Sequence, residues 1–454
     1  MPILTLLLCV TLLTLPAAAK PKVPAAKPNI IVILADDLGY GDLSSYGGKD
    51  LRTPHIDRLV TAGMRFNNFY SNSPVCSPTR ASLMTGRYPD LAGVPGVIRM
   101  DPADNWGRLI DNVPLLPALL KKGGYHTALV GKWHLDLQSP DLPNERGIDH
   151  FHGFLEGMMD DYYHHLRFGE NFLRLNDKTI TPQGHATDLI SQWAVDYLQT
   201  LQHRKSPFFL YLAYNAPHVP VQPPAEWLEK VKQREPGISE QRAKLVALIE
   251  HLDDSIGKVL ATLQANGQAE NTLIVFSSDN GGQLGAGATS GPLRGGKEDM
   301  YEGGIRVPLA VVWPGKIQPG SRSELFSLTM DLMPTLCEAA GVQLPAGLDG
   351  KSILPTLLGQ PQSFPDRNYI WMRREGNPGY QGRDYYAVRQ GDWKLVQNNP
   401  FKPYQLFNLA NDPQEQSDLA AENKAKVWEL SSILMAHLQR AGAVPWQKGA
   451  TKQR

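Results

Sequence analysis

The segment Asn29-Ile30-Ile31-Val32-Ile33-Leu34-Ala35-Asp36-Asp37 decides the fold class of this 454-residue chain. Six consecutive apolar residues run directly into two carboxylates. A near-continuous apolar run of this kind is typical of a strand that is buried on both faces, as in a parallel sheet covered by helices. Similar runs recur at His126–Val130, Phe208–Tyr214, Thr272–Ser277 and Val307–Val312. Because helical patterns alternate with these runs, the sequence predicts an α/β fold with a large, mixed, mostly parallel sheet sandwiched by helices.

The pattern of apolar and polar residues changes after Gly350. Upstream of it, Gln241–Leu263 carries its apolar residues on one stripe, which predicts a long amphipathic helix. Downstream, strand-like segments precede a closing helical pattern at Lys424–Ala441; these segments are Tyr369–Met372, Tyr385–Arg389, Trp393–Gln397 and Tyr404–Leu409. We therefore expect a main domain over residues 29–349 and a smaller C-terminal α+β subdomain, containing a short antiparallel sheet, over residues 350–454.

The N-terminus resembles an export signal. The apolar run from Ile3 to Leu15 is shorter than a bilayer-spanning helix, and the small residues of Pro16-Ala17-Ala18-Ala19 follow it. This pattern predicts a cleaved signal peptide over residues 1–19 and a Pro/Ala/Lys linker over residues 20–28, although no Lys or Arg precedes the run. The alternative is an uncleaved anchor or a buried hydrophobic helix. We expect export to the periplasm or the medium, with no stable membrane insertion after cleavage.

The overall composition excludes several classes of protein. Hydrophobic residues make up 42% of the chain and charged residues 20%, which excludes a disordered polymer. Lys and Arg together number 45, as do Asp and Glu, so the net charge is zero and nucleic acid is not an expected partner. Three cysteines, Cys9, Cys76 and Cys337, are too few for a disulfide framework.

Polar side chains follow four of the predicted strands, at the carboxyl edge where open α/β sheets bind their ligands. These segments are Asp36-Asp37, Gly131-Lys132-Trp133-His134, Asn215-Ala216-Pro217-His218 and Ser278-Asp279-Asn280. The two acidic segments offer oxygen ligands without thiolate or imidazole, which favours Ca²⁺ or Mg²⁺ over Zn²⁺. The alternative is that Asp36-Asp37 caps a helix and that Asp279-Asn280 forms a turn with Gly281. The combination of both pairs favours the metal.

The segment Cys76-Ser77-Pro78-Thr79-Arg80 resembles the sulfatase signature Cys-x-Pro-x-Arg. A second sulfatase element, Gly-Lys-Trp-His, is present at Gly131–His134, and the resemblance extends from about Asn29 to about Asp418. The segments Leu142–Gly147 and Asp161-Tyr162-Tyr163 are similar to the corresponding segments of type I arylsulfatases that act on sulfated sugars. The resemblance implies an alkaline-phosphatase-like fold and a sulfuric ester hydrolase acting on a sulfated saccharide.

The resemblance also assigns a nucleophile. In sulfatases the signature cysteine, here Cys76, is oxidised after translation to Cα-formylglycine by a formylglycine-generating or equivalent maturation enzyme, and the aldehyde hydrate attacks sulfur. Covalent catalysis of this kind divides one difficult step into two easier ones. Arg80 matches the residue that steadies the formylglycine. The family resemblance favours Ca²⁺, with Mg²⁺ possible, on Asp36, Asp37, Asp279, Asn280 and the modified Cys76.

The remaining catalytic roles follow from matched positions. Lys132 and Lys297 match residues that bind the sulfate and stabilise its developing charge. His218 matches a histidine near the bridging oxygen and is the expected general acid for the departing alcohol. His134 matches the base that takes a proton from the hydrate so that sulfate is expelled. Each of these residues also has a structural interpretation, as a core residue, a Pro-rich turn or a mobile Gly-rich loop.

Three further residues are candidate substrate ligands. His165 follows the Asp161-Tyr162-Tyr163 segment and aligns with a histidine near the substrate in related sulfatases; the alternative is an exposed loop residue. Arg373 and Arg374 belong to an aromatic and arginine-rich cluster that suits a sulfated sugar or a packing seam. Two other functions compete with sulfate ester hydrolysis: a phosphomonoester or phosphonate hydrolase of the same superfamily, and a non-catalytic sulfated-glycan binding protein.

Overall fold

The structure is a computed structural model that describes residues 27–101, 104–111, 113–376 and 379–444. The expected signal peptide and all but the last two residues of the expected linker lie outside the described residues. In chain order the helices are α1 (Pro54–Ala62), α2 (Cys76–Thr85), α3 (Leu116–Lys122), α4 (Ala186–Thr200), α5 (Ala225–Arg234), α6 (Glu240–Ala265), α7 (Glu302–Ile305), α8 (Leu332–Ala339), α9 (Leu354–Leu357) and α10 (Lys424–Ala441).

The strands range from two to seven residues in length. In chain order they are β1 (Asn29–Ala35), β2 (Met64–Phe66), β3 (Phe69–Tyr70), β4 (His126–Lys132), β5 (His150–Phe154), β6 (Leu166–Arg167), β7 (Glu170–Asn171), β8 (Leu173–Leu175), β9 (Lys178–Thr179), β10 (Phe208–Ala213), β11 (Thr272–Ser278), β12 (Leu309–Val312), β13 (Ser321–Ser323), β14 (Ser327–Leu328), β15 (Tyr369–Arg374), β16 (Asp384–Gln390), β17 (Trp393–Gln397) and β18 (Gln405–Asn408).

A mixed sheet of ten strands forms the centre of the fold, in the order β13-β2-β12-β11-β1-β10-β4-β5-β8-β9. The five consecutive strands from β11 to β5 are parallel to one another. Successive side chains of a strand point to opposite faces, so Ile30, Val32 and Leu34 of β1 join one apolar cluster while Ile31 and Ile33 join the other. Helices α2, α3 and α8 contribute to the first cluster, and α1, α4 and α6 to the second. These two layers explain why β1 has no polar alternation.

Antiparallel strands at both sides of the parallel block make the sheet mixed. The predicted strand at Val307–Val312 is the shorter β12, which runs antiparallel to β11 and β2. On the other side, β8 runs antiparallel to β5 and β9. The predicted α/β fold class, with a large mixed sheet between helices, is confirmed.

The C-terminal part forms a separate antiparallel sheet in the order β15-β16-β17-β18. Leu430 and Leu434 of α10 share an apolar cluster with Trp371 of this sheet. Tyr70 and Met300, from the larger part of the chain, belong to the same cluster. The small antiparallel sheet is confirmed, and the boundary expected at residue 350 stays a prediction. Among the described residues no helix combines the length and the apolar character needed to span a bilayer.

Candidate active site

The register of the parallel strands brings the predicted polar segments to one edge of the sheet. In the pairing of β1 with β11, Ala35 lies beside Ser278, so Asp36 and Asp279 leave neighbouring strands at the same level. On the other side of β1, Ala213 of β10 pairs with Gly131 of β4. The segments that end in His134 and His218 therefore leave the sheet at the same edge as the two aspartates.

Cys76 is the first residue of α2 and only 3% exposed. Burial raises the pKa of its thiol to about 12, against the lowering effect of Lys132 and Lys297. At neutral pH the unmodified side chain is a neutral thiol, which is a weak nucleophile. Its position at a helix N-terminus, where backbone N–H groups point outward, suits an oxygen-bearing or anionic group.

Arg80 lies one helical turn after Cys76 and is fully buried. Its Nε and Nη2 both donate to Asp279 Oδ2, at 3.1 and 2.7 Å. Its Nη1 donates to the hydroxyl of Tyr211 at 3.3 Å. Asp36 Oδ2 lies 3.7 Å from Nη2. Because guanidinium is permanently charged, Arg80 fixes a positive charge between two carboxylates and ties α2 to the sheet edge.

Two lysines hold the adjacent aspartates at the end of β1. Lys132 Nζ donates to Asp36 Oδ2 at 2.5 Å, and Lys297 Nζ donates to Asp37 Oδ2 at 2.7 Å. Burial raises the pKa of Asp36, but nearby positive charge, chiefly that of Lys132 with Arg80 adding to it, holds this pKa below its ordinary value. The pKa of Asp37 is lowered in the same way, with Lys297 the largest influence against burial. Both carboxylates are therefore ionised in the folded protein.

His218 faces Lys297 and Asp37. Its Nδ1 lies 2.7 Å from the carbonyl oxygen of Val219, which only accepts, so Nδ1 carries the proton. Its Nε2 lies 3.0 Å from Lys297 Nζ and 3.6 Å from Asp37 Oδ2. Burial and the nearby Lys297 lower the pKa of His218, so the imidazole is neutral and its Nε2 accepts from Lys297.

His134 presents an unpaired nitrogen. Its Nε2 donates to the carbonyl of Ile98 at 2.9 Å, and its buried Nδ1 has no hydrogen-bond partner among the described residues. Burial and Lys132 hold its pKa well below the ordinary value, so the ring is neutral. The backbone φ of His134 is 54°, a left-handed value that is uncommon for non-glycine residues and is concentrated at functional sites.

The acidic cluster has the features of a cation site. Candidate ligand atoms of Asp36, Asp37, Cys76 and His218 all lie within 4.8 Å of one another. Asp36 Oδ1 and Asn280 Oδ1 are buried and accept no hydrogen bond from any residue that the structure describes. Asn280 Nδ2 donates to Asp37 Oδ1 at 2.8 Å, which holds the amide oxygen turned away from that carboxylate. Hard oxygen donors left unpaired beside ionised carboxylates fit Ca²⁺ or Mg²⁺.

Asp279 occupies a different place in this cluster. Its Oδ2 accepts from Arg80, and its Oδ1 accepts from the backbone N–H of Asp37 at 3.2 Å. The predicted ligand set is thus brought together, with Asp279 bound to Arg80.

A cavity of about 570 Å³ opens above these residues. Its floor contains the buried Cys76, His134 and His218 and the partly buried Lys297. The volume lies within the range of small-molecule sites, roughly 300–1,000 Å³. A nucleophile position, two histidines and a lysine therefore face the same accessible space.

Three sequence-predicted substrate ligands do not line this cavity. His165 is buried and its Nε2 donates to the carbonyl of Gly184 at 2.9 Å. Arg373 is 2% exposed and its Nε donates to Glu375 Oε1 at 2.5 Å. Arg374 Nε pairs with Asp384 at 2.9 Å. Each of these side chains has a partner within the fold.

Comparison with known proteins agrees with this geometry. The family model described as Sulfatase matches residues 28–342, which is more than half of the chain. The chain belongs to the sulfatase family. A second family model, described as N-sulphoglucosamine sulphohydrolase, C-terminal, matches residues 296–442. The protein is accordingly a sulfuric ester hydrolase with an alkaline-phosphatase-like sulfatase fold.

Curated and solved relatives cover most of the sulfatase chain. It is 36% identical to N-acetylgalactosamine-6-sulfatase of Mus musculus, over 86% of this chain and 75% of the relative. It is 33% identical to arylsulfatase A of Bos taurus, over 87% of this chain and 84% of the relative. The crystal structure of Ps i-CgsB in complex with k-i-k-neocarrahexaose is similar with a TM-score of 0.82 and 33% identity, covering 90% of this chain and 92% of that one.

Sequence reasoning missed much of the wall of the sulfatase cavity. Arg99, Glu156, Arg167 and Phe168 all line it. None of them belongs to a motif or to a predicted strand end. Glu156 follows the end of β5, a strand that was not predicted from the sequence. Because β5 pairs in parallel with β4, its end lies at the same edge of the sheet, and recognition of β5 as a strand would have pointed to Glu156.

Proposed function

We propose that this sulfatase removes sulfate from a sulfated carbohydrate, with Cys76 converted to Cα-formylglycine and a divalent cation, Ca²⁺ rather than Mg²⁺, bound beside it. The observation that carries the proposal is the position of Cys76. Its sulfur lies at the start of α2 in one group with Asp36, Asp37 and His218. Asp36 and Asn280, which is hydrogen-bonded to Asp37, each carry an unpaired buried oxygen. A buried neutral thiol would have little reactivity at this position. An oxidised residue there could interact with the proposed cation and with the charged side chains around it.

The carbohydrate part of the proposal is supported by two relatives. The mouse protein is named for a sulfated amino sugar, and the Ps i-CgsB crystal contains a neocarrahexaose. The cavity is also larger than a sulfate group requires, and its walls carry polar and aromatic side chains, including Glu156, Arg167 and Phe168. Such a lining fits a sugar ring attached to the ester.

The cation and the modified cysteine supply the two reactive features of the site. Asp36, Asp37, Asp279 and Asn280 would hold a divalent ion, which would supply Lewis acidity toward a sulfate oxygen. The hydrated aldehyde at position 76 supplies the attacking oxygen. The chain itself supplies fixed positive charge, because Lys132, Lys297 and Arg80 are each held against an aspartate before substrate arrives.

The two histidines divide the proton transfers. His218 is oriented by the hydrogen bond from Nδ1 to Val219, so its Nε2 carries the lone pair. In the proposed mechanism Nε2 takes up a proton from water in the cavity and donates it to the oxygen of the departing alcohol. His134 is oriented in the opposite sense, because Ile98 binds Nε2–H and leaves Nδ1 as the acceptor. One ring thus faces the leaving group as an acid and the other serves as a base.

We further propose that the chain is exported to the periplasm or the medium and that a formylglycine-generating or equivalent enzyme oxidises Cys76. Because Cys76 is buried in α2, the maturation enzyme must reach it before the chain has folded.

The decisive experiment is mass spectrometry of the peptide that contains Cys76, combined with a desulfation screen on defined sulfated saccharides and on matched aryl sulfate and aryl phosphate. We expect the aldehyde form at position 76, release of sulfate, and little release of phosphate. Cys76→Ala is expected to abolish turnover. Cys337→Ala, which removes another buried thiol, is the control and should retain it. Full activity in Cys76→Ala, or an active sample that contains only the thiol, would falsify the mechanism.

A further inference from the structure

The hairpin of β6 and β7, over Leu166–Asn171, has an unusual turn. Phe168 and Gly169 connect the two strands with φ values of 48° and 81°, both in the left-handed region. Glycine and asparagine accept this conformation readily, whereas a bulky side chain adopts it only at a cost. The turn itself therefore gives no reason for phenylalanine at position 168.

Phe168 is also exposed to an unusual degree. The residue is 68% exposed, yet it lines the cavity whose floor contains Cys76 and His134. Large apolar side chains on the surface are informative when they border a binding cavity. The contrast with the buried floor places Phe168 at the mouth of the cavity.

The ring of Phe168 is held in position on one of its two faces. Asp160 accepts hydrogen bonds from Arg167 Nη1, at 2.6 Å, and from the backbone N–H of Phe168. The guanidinium of Arg167 lies over the Phe168 ring, 3.9 Å from its centre. A fixed aromatic ring costs little conformational entropy when it binds a partner.

Glu156 lies deeper in the same cavity. It is 6% exposed, and its Oε2 accepts from the backbone N–H of Met158 at 2.8 Å. A Cβ added to the next residue, Gly157, would approach the His134 ring to 2.4 Å, so the chain at this point packs against a catalytic histidine. Glu156 therefore presents hydrogen-bond acceptors near the reacting centre.

We propose that Phe168 is a stacking platform for a second sugar ring of an oligosaccharide substrate, while Glu156 accepts a hydrogen bond from a hydroxyl of the ring that bears the sulfate. The inference rests on the proposed carbohydrate sulfatase function. The C–H face of a pyranose carries positive partial charge and matches the negative face of an aromatic ring. A carboxylate accepts hydrogen bonds from neutral hydroxyls and repels a second anionic group, so the hydroxyl next to Glu156 is unsulfated in the preferred substrate.

The test compares three substrates: a sulfated oligosaccharide, the corresponding sulfated monosaccharide and an aryl sulfate. Phe168→Ala is expected to raise KM for the oligosaccharide roughly tenfold. The KM for the other two substrates should change less than twofold. Phe168→Tyr should have the wild-type KM for the oligosaccharide because the aromatic ring is kept. Phe401→Ala, at a residue 81% exposed and outside the cavity lining, is the matched control.

Glu156→Gln tests the second part of the inference. This variant keeps the shape of the side chain. It should raise KM for both saccharides and leave KM for the aryl sulfate unchanged. Equal losses on all three substrates in Phe168→Ala, or no response of the saccharides to Glu156→Gln, would overturn the respective assignment. A wild-type enzyme that cleaves aryl sulfate and monosaccharide but gains nothing from the second ring overturns the platform alone. Absence of sulfate release from every substrate overturns the proposed function as well.

Discussion

His134 donates its Nε2–H to the backbone carbonyl of Ile98 at 2.9 Å, and this single contact fixes the tautomer of the histidine that we propose as the catalytic base. A carbonyl oxygen can only accept, so the opposite nitrogen, Nδ1, keeps its lone pair. That nitrogen is buried without a partner in the described part of the chain, and burial keeps the ring neutral. The carbonyl of Ile98 therefore orients the ring whose Nδ1 is the proposed catalytic base.

His134→Ala should lower kcat for sulfate ester hydrolysis by roughly 10²–10⁴-fold, the usual contribution of a general base. KM should change little, because in the proposed mechanism His134 takes a proton while Lys132 and Lys297 bind the sulfate. Steady-state kinetics measures kcat and KM, and a thermal melt checks that the variant is folded. His164→Ala, at a side chain 80% exposed, should match wild type. A His134→Ala enzyme with unchanged kcat would contradict the assigned role.

Removal of the cation should destabilise the protein as well as inactivate it. Without an ion, the ionised Asp36 and Asp37 repel each other and the unpaired oxygens of Asp36 and Asn280 remain buried. We expect chelation to lower Tm by roughly 5 °C and added Ca²⁺ to restore it more fully than Mg²⁺. Asn280→Ala should reduce this calcium-dependent shift, whereas the exposed Asn411→Ala should not. A Tm insensitive to chelator and to Ca²⁺ would exclude the site.

The sheet and its polar edge could be predicted from the sequence because both depend on local patterns. Six apolar residues before Asp36 identify a doubly covered strand, and a strand end identifies a ligand edge. The pairing of Ala35 with Ser278 cannot be read from the sequence. It sets Asp36 beside Asp279, although 242 residues of chain lie between them. The helix that begins at Cys76 was not predicted, since its residues are buried all round and give no amphipathic stripe.

The walls of the cavity could not be predicted because they depend on long-range partners. Arg373 has the chemistry of a sulfate ligand, yet Glu298 and Glu375 pair with it in the folded chain. Glu298 is 75 residues distant, so no local pattern reveals the pairing. Phe168 lies in a short hairpin with no periodicity, and only its exposure and position at the cavity identify it.

Lys394 should be essential for stability. Its ammonium group is fully buried between Glu302 and Glu415, at 2.9 and 2.8 Å, and links β17 to α7, which follows Lys297. Lys394→Met removes the buried cation that Glu302 and Glu415 share and leaves Arg306, 3.7 Å from Glu302, as a more distant partner. We expect a loss of about 3–5 kcal/mol in the free energy of unfolding. Urea denaturation measures this loss. Lys402→Met, at an exposed position of the same sheet region, should change stability by less than about 0.5 kcal/mol. Similar stabilities for the two variants would contradict the role of the buried triad.

His152 should make the enzyme sensitive to acid. Burial, with a smaller effect from His150, lowers the pKa of His152 to about 4, while its ring stacks on Trp193 at 3.8 Å. In the unfolded chain a histidine has a pKa of about 6.5, so below that pH the unfolded state binds more protons than the folded state. The free energy of unfolding therefore falls as the pH drops from about 6.5 to about 4.

His152→Phe keeps the stacked ring and removes the titration. We expect its Tm to fall less than that of wild type between pH 7 and pH 5, with a difference of about 1–2 kcal/mol in unfolding free energy because partial exposure screens the effect. His203→Phe, at an exposed position, should follow the wild-type profile. Parallel Tm profiles for wild type and His152→Phe would show that this histidine titrates alike in the folded and unfolded states.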